Sequence, residues 1–434
     1  EGPTSGDGED AFEAMHQTTR FKSQDAADAA MAAIEGAKSA TVAGIERKKR
    51  TVAAPVPFNT TALMAAASAE GINPGRCMRM AESLYMDGYI SYPRVDNTVY
   101  PSTLDLSEVV KQLEGNPAYA PYCKKLLAQG QLKATRGKKE TTDHPPIYPT
   151  AAATPDDLNP SEYKLYNLIA RRFLATLSGP ASIEGTKVTL DVNGQDFVAK
   201  GDVLVDKGFR EIYPYGLKKD EQLPPMSEGG KVAFNGAVCT KDQTKPPARY
   251  SQGKLIQEME KLGLGTKSTR HSIIERLYTV KYITNDPIEP SKLGIAVIDA
   301  LDRFAPHITH PEMTAELEAG MDKIAEGLVT KAEVVGGSRN LLAKELADLI
   351  PHASDVSEAL GDAVAADAYV GKCPKCGHDL QLRASHKTKS MFIGCAGWPD
   401  CDVTYPLPSG KIESMEELCP TCGMPQVKVT AFRQ

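Results

Sequence analysis

The chain has 434 residues, a net charge of −6, and 41% hydrophobic and 24% charged residues. That length predicts roughly three folding units, and no apolar run approaches the ~20 residues of a membrane span. The charge excludes a uniformly basic nucleic-acid binder, but not a groove lined by local basic runs such as 47–50, 136–139 and 267–270. No secretory leader is visible. The chain starts at Glu1 in an acidic Gly/Ser-rich stretch and stops soon after a cysteine pair, so a fragment of a longer protein is expected.

In chain order, 24–35 reads as a helix and 39–53 as basic extended chain. A polar cap at Asn59 to Thr61 opens an Ala-rich helix. A second helix, about 76–87, leads into a short extended segment carrying Tyr92. Two helices follow across 104–129, then the basic loop ATRGKKETTDHPPIYPT and a strong helix at 160–177. From 184 to 240 the pattern alternates, as in GTKVTLDV and DFVAKGDVLV, and reads as β-rich. From 251 to 350 it is helical again, and 353–368 is helix or linker before a cysteine module. The order α, β, α, metal module without βαβ repetition indicates a multidomain α+β protein.

Three constellations carry chemistry. In GYISYPRVDNTVYP, Tyr92 and Arg94 are two apart, so an extended segment points both side chains to one face. A phenol with an ordinary pKa of about 10 attacks phosphorus only where nearby positive charge favours the phenolate and holds the phosphate. Arg94 offers a bidentate fork for two phosphate oxygens. With sixteen tyrosines present, a Tyr-x-Arg triplet alone says little. In LGLGTKSTRHSII, Gly265 ends one helix and Ser268 caps the next. Lys267, Thr269 and Arg270 lie close to the free N–H groups of that helix start, a phosphate site by chemistry; a plain helix-turn-helix corner fits equally. In DHPPI, His144 is held by prolines and suits either a phosphate contact, proton transfer or a structural role.

Of nine cysteines, Cys77, Cys123 and Cys239 are scattered and read as small hydrophobes. Cys373, Cys376, Cys395 and Cys401 form two close pairs with the spacing of a tetrahedral Zn(2+) ribbon, which with the missing leader indicates a reducing cytosol. Cys419 and Cys422 look like the first half of another ribbon. Phe392, Trp398 and Tyr405, interleaved with Lys375, Arg383, Lys387 and Lys389, either stack unpaired bases or fill the small core. Phe392 is the better stacking candidate, and Trp398 reads as core-adjacent.

Taken together, PFNTTALMAAAS, AESLYMDGYISYPRVDNTVYP, DHPPIYPT, PPARYSQGKLIQEMEKLGLGTKSTRHSIIERLY and EMTAELEAGMDKIAEG, with the ribbon, resemble the C-terminal part of type IA DNA topoisomerases, nearest the archaeal topoisomerase I and III forms. The likeness covers about residues 50–405. It implies a toroidal core: residues 1–52 and 179–248 form a β-rich arch, 53–178 a helical domain carrying the nucleophile, and 249–350 a helical base. A linker at 351–370, a four-cysteine zinc ribbon at 371–410 and the start of a second ribbon at 411–434 follow.

By the same resemblance, Tyr92 forms a 5′-phosphotyrosine bond, Arg94 holds the scissile phosphate, and His144 is the active-site histidine. Lys267, Ser268 and Thr269 lie in the strand-binding motif. Val95 stands where the family has Thr. The implied activity is relaxation of negatively supercoiled DNA without ATP, by a monomer acting on single-stranded regions in the cytoplasm at the nucleoid, with no membrane association. The family's Toprim domain, which binds Mg(2+) and supplies a catalytic Glu and Lys, has no counterpart in residues 1–50. A separate Toprim-containing polypeptide is therefore an expected partner. Two rival readings are a non-catalytic single-stranded-DNA-binding fragment and the topoisomerase half of a reverse gyrase.

Overall fold

The structure, a computed structural model, describes residues 11–216, 221–385, 387–388 and 390–430. It divides into two compact units, 1–248 and 249–434.

The first unit contains β1 (Met15–His16), α1 (Gln24–Ile34), β2 (Ser39–Val52), α2 (Thr60–Ala69), α3 (Pro74–Met86), α4 (Leu106–Leu113), α5 (Ala120–Leu127), α6 (Pro160–Thr176), β3 (Ala181–Val192), β4 (Gln195–Asp206) and β5 (Lys231–Ala233). The strands form one antiparallel sheet in the order β1-β4-β3-β2-β5. Its apolar face packs Ala40, Val42, Val188, Leu190, Phe197 and Ala199 against Ile34 of α1 and Phe234, as period-2 alternation dictates.

Val52 at the end of β2 pairs with Ala181 at the start of β3. Everything between them is a helical lobe that leaves and re-enters the sheet at one point. That lobe is built round α6, which buries Leu165, Tyr166, Leu168, Ile169, Phe173 and Leu174 against Leu63 and Met64 of α2 and Met78 and Leu84 of α3, all essentially without solvent contact. Asn59, Asn73 and Asn159 cap α2, α3 and α6 through their side-chain oxygens, satisfying N–H groups the helices leave open.

The second unit contains α7 (Gln252–Lys261), α8 (Arg270–Thr279), the short strands β6 (Ile283–Thr284) and β7 (Glu289–Pro290), α9 (Lys292–Phe304), α10 (Pro306–Thr309), α11 (Pro311–Ala325), α12 (Lys331–Leu349) and α13 (Ala353–Ala368). It ends in β8 (Tyr369–Lys372), β9 (Asp379–Ala384), β10 (Met391–Cys395), β11 (Thr404–Pro406), β12 (Lys411–Leu418) and β13 (Pro425–Thr430). The stretch read as helix or linker is a regular helix, α13, whose Asp367 carboxylate accepts from the N–H groups of Lys292 and Leu293 at the start of α9, at 3.1 and 3.0 Å. An acidic group at a helix start is favourable there. The ribbon is a sheet in the order β11-β10-β9-β8. The β12–β13 hairpin adds Val427 of β13, and Met424 of the turn between its strands, to the ribbon's core. No described helix is long and apolar enough to cross a membrane.

Candidate active site

The nucleophile candidate is delivered by the end of α3. Gly88, at φ +80°, follows the C-cap Asp87; Tyr89 N–H donates to Leu84 C=O (2.8 Å) and Gly88 N–H to Tyr85 C=O (3.0 Å). This is a Schellman ending, in which a left-handed residue turns the chain off the helix. Ile90 then makes one bridge with Pro149. Beyond it the chain runs without a paired strand, so the segment carrying Tyr92 lies outside the sheet ladders. Pro93 has no N–H to offer a ladder, and its neighbours are bonded to loops instead of a strand.

Those loop bonds are dense. Thr60 Oγ1, at the start of α2, donates toward Pro93 C=O (2.7 Å) and Val95 C=O (3.0 Å) and accepts from Val95 N–H (2.8 Å). Asn97 Nδ2 donates to Thr141 C=O (2.8 Å) and His144 C=O (3.1 Å), and Val99 N–H donates to Asn97 Oδ1 (2.9 Å). Ser91 Oγ donates to Pro146 C=O (3.2 Å) and accepts from Tyr148 N–H (3.0 Å). Segments 91–99 and 139–148 are thereby interlocked, which brings His144 to Tyr92 although the two are far apart in sequence.

The Tyr92 ring lies between two others: His144 at 4.7 Å between centroids and Tyr85 at 5.3 Å, edge-on. Arg94 donates from Nε to Glu82 Oε1 (2.8 Å) and also from Nη2 to the same oxygen. Glu82 and Tyr85 are three apart on α3 and so share a face, which places the Tyr92 phenol and the Arg94 guanidinium along one side of that helix. Asp96 pairs with Lys139 at 3.1 Å. The core tyrosines are no rivals as nucleophiles: burial pushes the phenols of Tyr100, Tyr119 and Tyr166 up, away from the phenolate. Tyr92 is half-buried and His144 exposed.

In the second unit α7 ends in another Schellman turn at Gly263 (φ +67°), with Leu264 N–H to Met259 C=O at 2.8 Å. Gly265 (φ +62°) follows. Two expectations are corrected here. Ser268 is not the cap of α8: Thr269 occupies the N-cap position, and its hydroxyl accepts from Thr266 N–H at 2.8 Å, bracing the turn instead. Arg270 is 7% exposed, and its guanidinium donates to Leu264 C=O (3.1 Å) and Gly265 C=O (3.0 Å), with Glu260 at 3.7 Å. It fastens the turn from inside, whereas Lys267 and Ser268 are half-exposed and Thr269 exposed.

The four ribbon cysteines converge. Their sulfurs all lie within 4.8 Å of one another, with Cys373 to Cys401 at 3.8 Å and Cys376 to Cys395 at 3.3 Å. A tetrahedron of Zn–S bonds of ~2.3 Å has edges of about 3.8 Å, so the set fits zinc. Cys373 N–H donates to His378 C=O (2.7 Å) and Gly377 N–H to Cys373 C=O (2.9 Å). Cys419 N–H to Met424 C=O (2.7 Å) and Gly423 N–H to Cys419 C=O (2.9 Å) repeat that turn. The second CxxC is thus folded like the first, although the one four-ligand cluster among the described residues is Cys373, Cys376, Cys395 and Cys401.

On the ribbon's other face Phe392 pairs across strands with Arg383 and Pro406. A Cβ on Gly394 would sit 3.1 Å from Phe392 Cε2, so the bare glycine lets that ring lean over the sheet. Trp398 is 65% exposed and not core-adjacent; Tyr405 packs on the core. Lys389 lies outside the described residues.

The sequence profile of the DNA topoisomerase family matches residues 4–336, and that of the topoisomerase DNA-binding C4 zinc finger matches 370–410. The chain belongs to the type IA DNA topoisomerase family. It is 41% identical to DNA topoisomerase 1 of Archaeoglobus fulgidus over 97% of this chain and 62% of that protein. It is 37% identical to that of Thermoplasma acidophilum over 94% of this chain and 52% of that one. Human DNA topoisomerase 3-alpha is 30% identical over 88% of this chain and 40% of its own length. The chain therefore spans about half to three-fifths of these two archaeal relatives. Its fold is also that of the full-length topoisomerase I of Thermotoga maritima, with a TM-score of 0.60 at 22% identity, over 93% of this chain and 65% of that one.

The residues that hold this site together, Glu82, Thr60, Ser91 and Asn97, were not among the sequence candidates. The PFNTT motif marked Thr60 as part of a cap, and nothing in a linear reading linked it to Val95.

Proposed function

We propose that this chain carries the strand-cutting machinery of a DNA topoisomerase that cleaves one strand through a 5′-phosphotyrosine. The Tyr92 oxygen forms a bond to phosphorus as the bond from phosphorus to the 3′ oxygen breaks. The phenol proton passes to a base, and the departing 3′ oxygen takes a proton to become a hydroxyl. Reversal reseals the strand, so relaxation of negatively supercoiled DNA needs no ATP. The observation that carries the reading is the packing of Tyr92 between His144 and Tyr85 with Arg94 on the same side of α3.

In this reading Arg94 holds the scissile phosphate as a guanidinium fork, and His144 contacts phosphate or moves a proton. Lys267, Ser268 and Thr269 contact the strand from the tight turn before α8, held in shape by Arg270. Phe392, beside Arg383, stacks an unpaired base, with Lys389 adding charge. When bound, Mg(2+) supplies charge neutralisation at the phosphate, from a Toprim domain borne by a separate polypeptide or by the rest of a longer chain. The protein acts as a monomer, in the cytoplasm at the nucleoid. Because the chain leaves and re-enters the sheet at the paired strand ends Val52 and Ala181, the cut ends are carried apart by a motion about that junction.

The test is an adduct assay with magnesium and 3′-labelled single-stranded DNA, with and without an added Toprim-bearing polypeptide. Label is expected on the protein after denaturation in at least one arm and lost in Tyr92→Phe, with DNA binding retained. Cleavage that persists in Tyr92→Phe, or no adduct in either arm, sinks the reading.

A further inference from the structure

We propose that Glu82 is a positioning residue for strand cleavage, setting the aim of the Arg94 guanidinium beside Tyr92 before DNA arrives. The inference rests on the reading of Arg94 as the phosphate clamp. Glu82 Oε1 accepts from both Nε (2.8 Å) and Nη2 of Arg94, so one edge of the planar fork is fixed in direction as well as in place. The same helix turn presents Tyr85 to the Tyr92 ring at 5.3 Å. α3 is thus a template that sets both the attacking ring and the clamp, one through Tyr85 and one through Glu82.

A carboxylate is an unexpected neighbour for a site that receives a phosphate, because like charges repel. Orientation accounts for it. The Arg94 side chain, 29% exposed, has several rotatable bonds to order. Ordering it in the free protein removes that cost from the moment of binding. The pair is partly solvated, with Glu82 40% exposed, so its Coulomb contribution to stability is small. Its consequence is direction.

The opposite reading, that Glu82 competes with phosphate for Arg94, predicts an effect of opposite sign. The experiment measures binding of a fluorescein-labelled single-stranded oligodeoxynucleotide to the full chain at low salt, in wild type, Glu82→Ala, Glu82→Gln, Arg94→Ala and the double alanine variant. Arginine Nε–H exchange is followed by NMR on the same proteins. Glu82→Ala is expected to weaken binding about tenfold, as Arg94→Ala does, with no further loss in the double variant. Glu82→Gln, whose amide oxygen accepts the same two N–H groups, is expected to restore most of the affinity. The Arg94 Nε–H should exchange slowly in wild type and Glu82→Gln and fast in Glu82→Ala, with melting midpoints alike.

Tighter or unchanged binding by Glu82→Ala, additive losses in the double variant, or an Arg94 Nε–H indifferent to Glu82 overturns the proposal. A wild type that shows no salt-sensitive binding counts against the functional reading instead, and the exchange measurement still decides whether Glu82 holds Arg94.

Discussion

Thr60 shows how one hydroxyl positions the loop that carries Arg94. It is fully buried and its Oγ1 bonds the backbone on both sides of Arg94. Thr60→Val keeps the shape and leaves the Val95 N–H without that acceptor, so a loss of about 1–3 kcal/mol is expected, read as a lower urea midpoint with an unchanged slope. Asn97→Ala removes three hydrogen bonds from a residue 3% exposed. A loss of similar size is expected, together with weaker packing of the His144 ring on Tyr92, visible in the aromatic proton shifts of His144.

The sequence made Tyr92, Arg94 and His144 legible because they sit in motifs that carry a family resemblance. It left Glu82, Ser91 and Asn97 unremarked, and showed Thr60 only as part of a cap, because their partners are 12 to 57 residues away. Arg270 was misplaced for a related reason. A basic run does not reveal which member folds back onto carbonyls.

The elements that deliver these residues end on turns that only particular residues accept. At Gly88 (φ +80°) a Cβ would meet nothing within 4 Å, so the cost of Gly88→Ala is backbone strain alone, about 1 kcal/mol. Gly137→Ala is different in kind: its Cβ would lie 2.2 Å from Thr98 Oγ1. Because the Thr98 hydroxyl and backbone hold Lys139, Gly137→Ala is expected to displace the segment leading to His144 and to cost more than Gly88→Ala. Thermal unfolding of the two variants side by side checks the order. Helices and strands with strong periodicity, such as α6 and the β3–β4 pair, were readable from pattern. α13 was read as helix or linker because ASDVSEALGDAVAADA has only a weak apolar stripe, and what fixes it is Asp367 on the start of α9.

At the scale of the molecule, two units divide the labour. The first holds Tyr92 on a lobe whose chain leaves and re-enters the sheet at the paired strand ends Val52 and Ala181; the second carries the GTKSTR turn and the ribbon. The ribbon's core is six buried residues, three of them cysteines. So small a core depends on its metal. Chelation of zinc is expected to unfold the ribbon, with release of about one zinc per chain from the four-cysteine site, while the thermal transition of the first unit stays where it was. A coincident collapse of both units would contradict that independence.

The central claim is that Tyr92 is the group that joins DNA. It is tested most directly by mass spectrometry of the adduct formed with single-stranded DNA, magnesium and a Toprim-bearing polypeptide, after nuclease trimming and tryptic digestion. The 80–94 peptide contains Tyr85, Tyr89 and Tyr92, so fragmentation distinguishes them. The account predicts a 5′-linked nucleotide on Tyr92 alone. A nucleotide on any other residue, or one joined through its 3′ end, would contradict it.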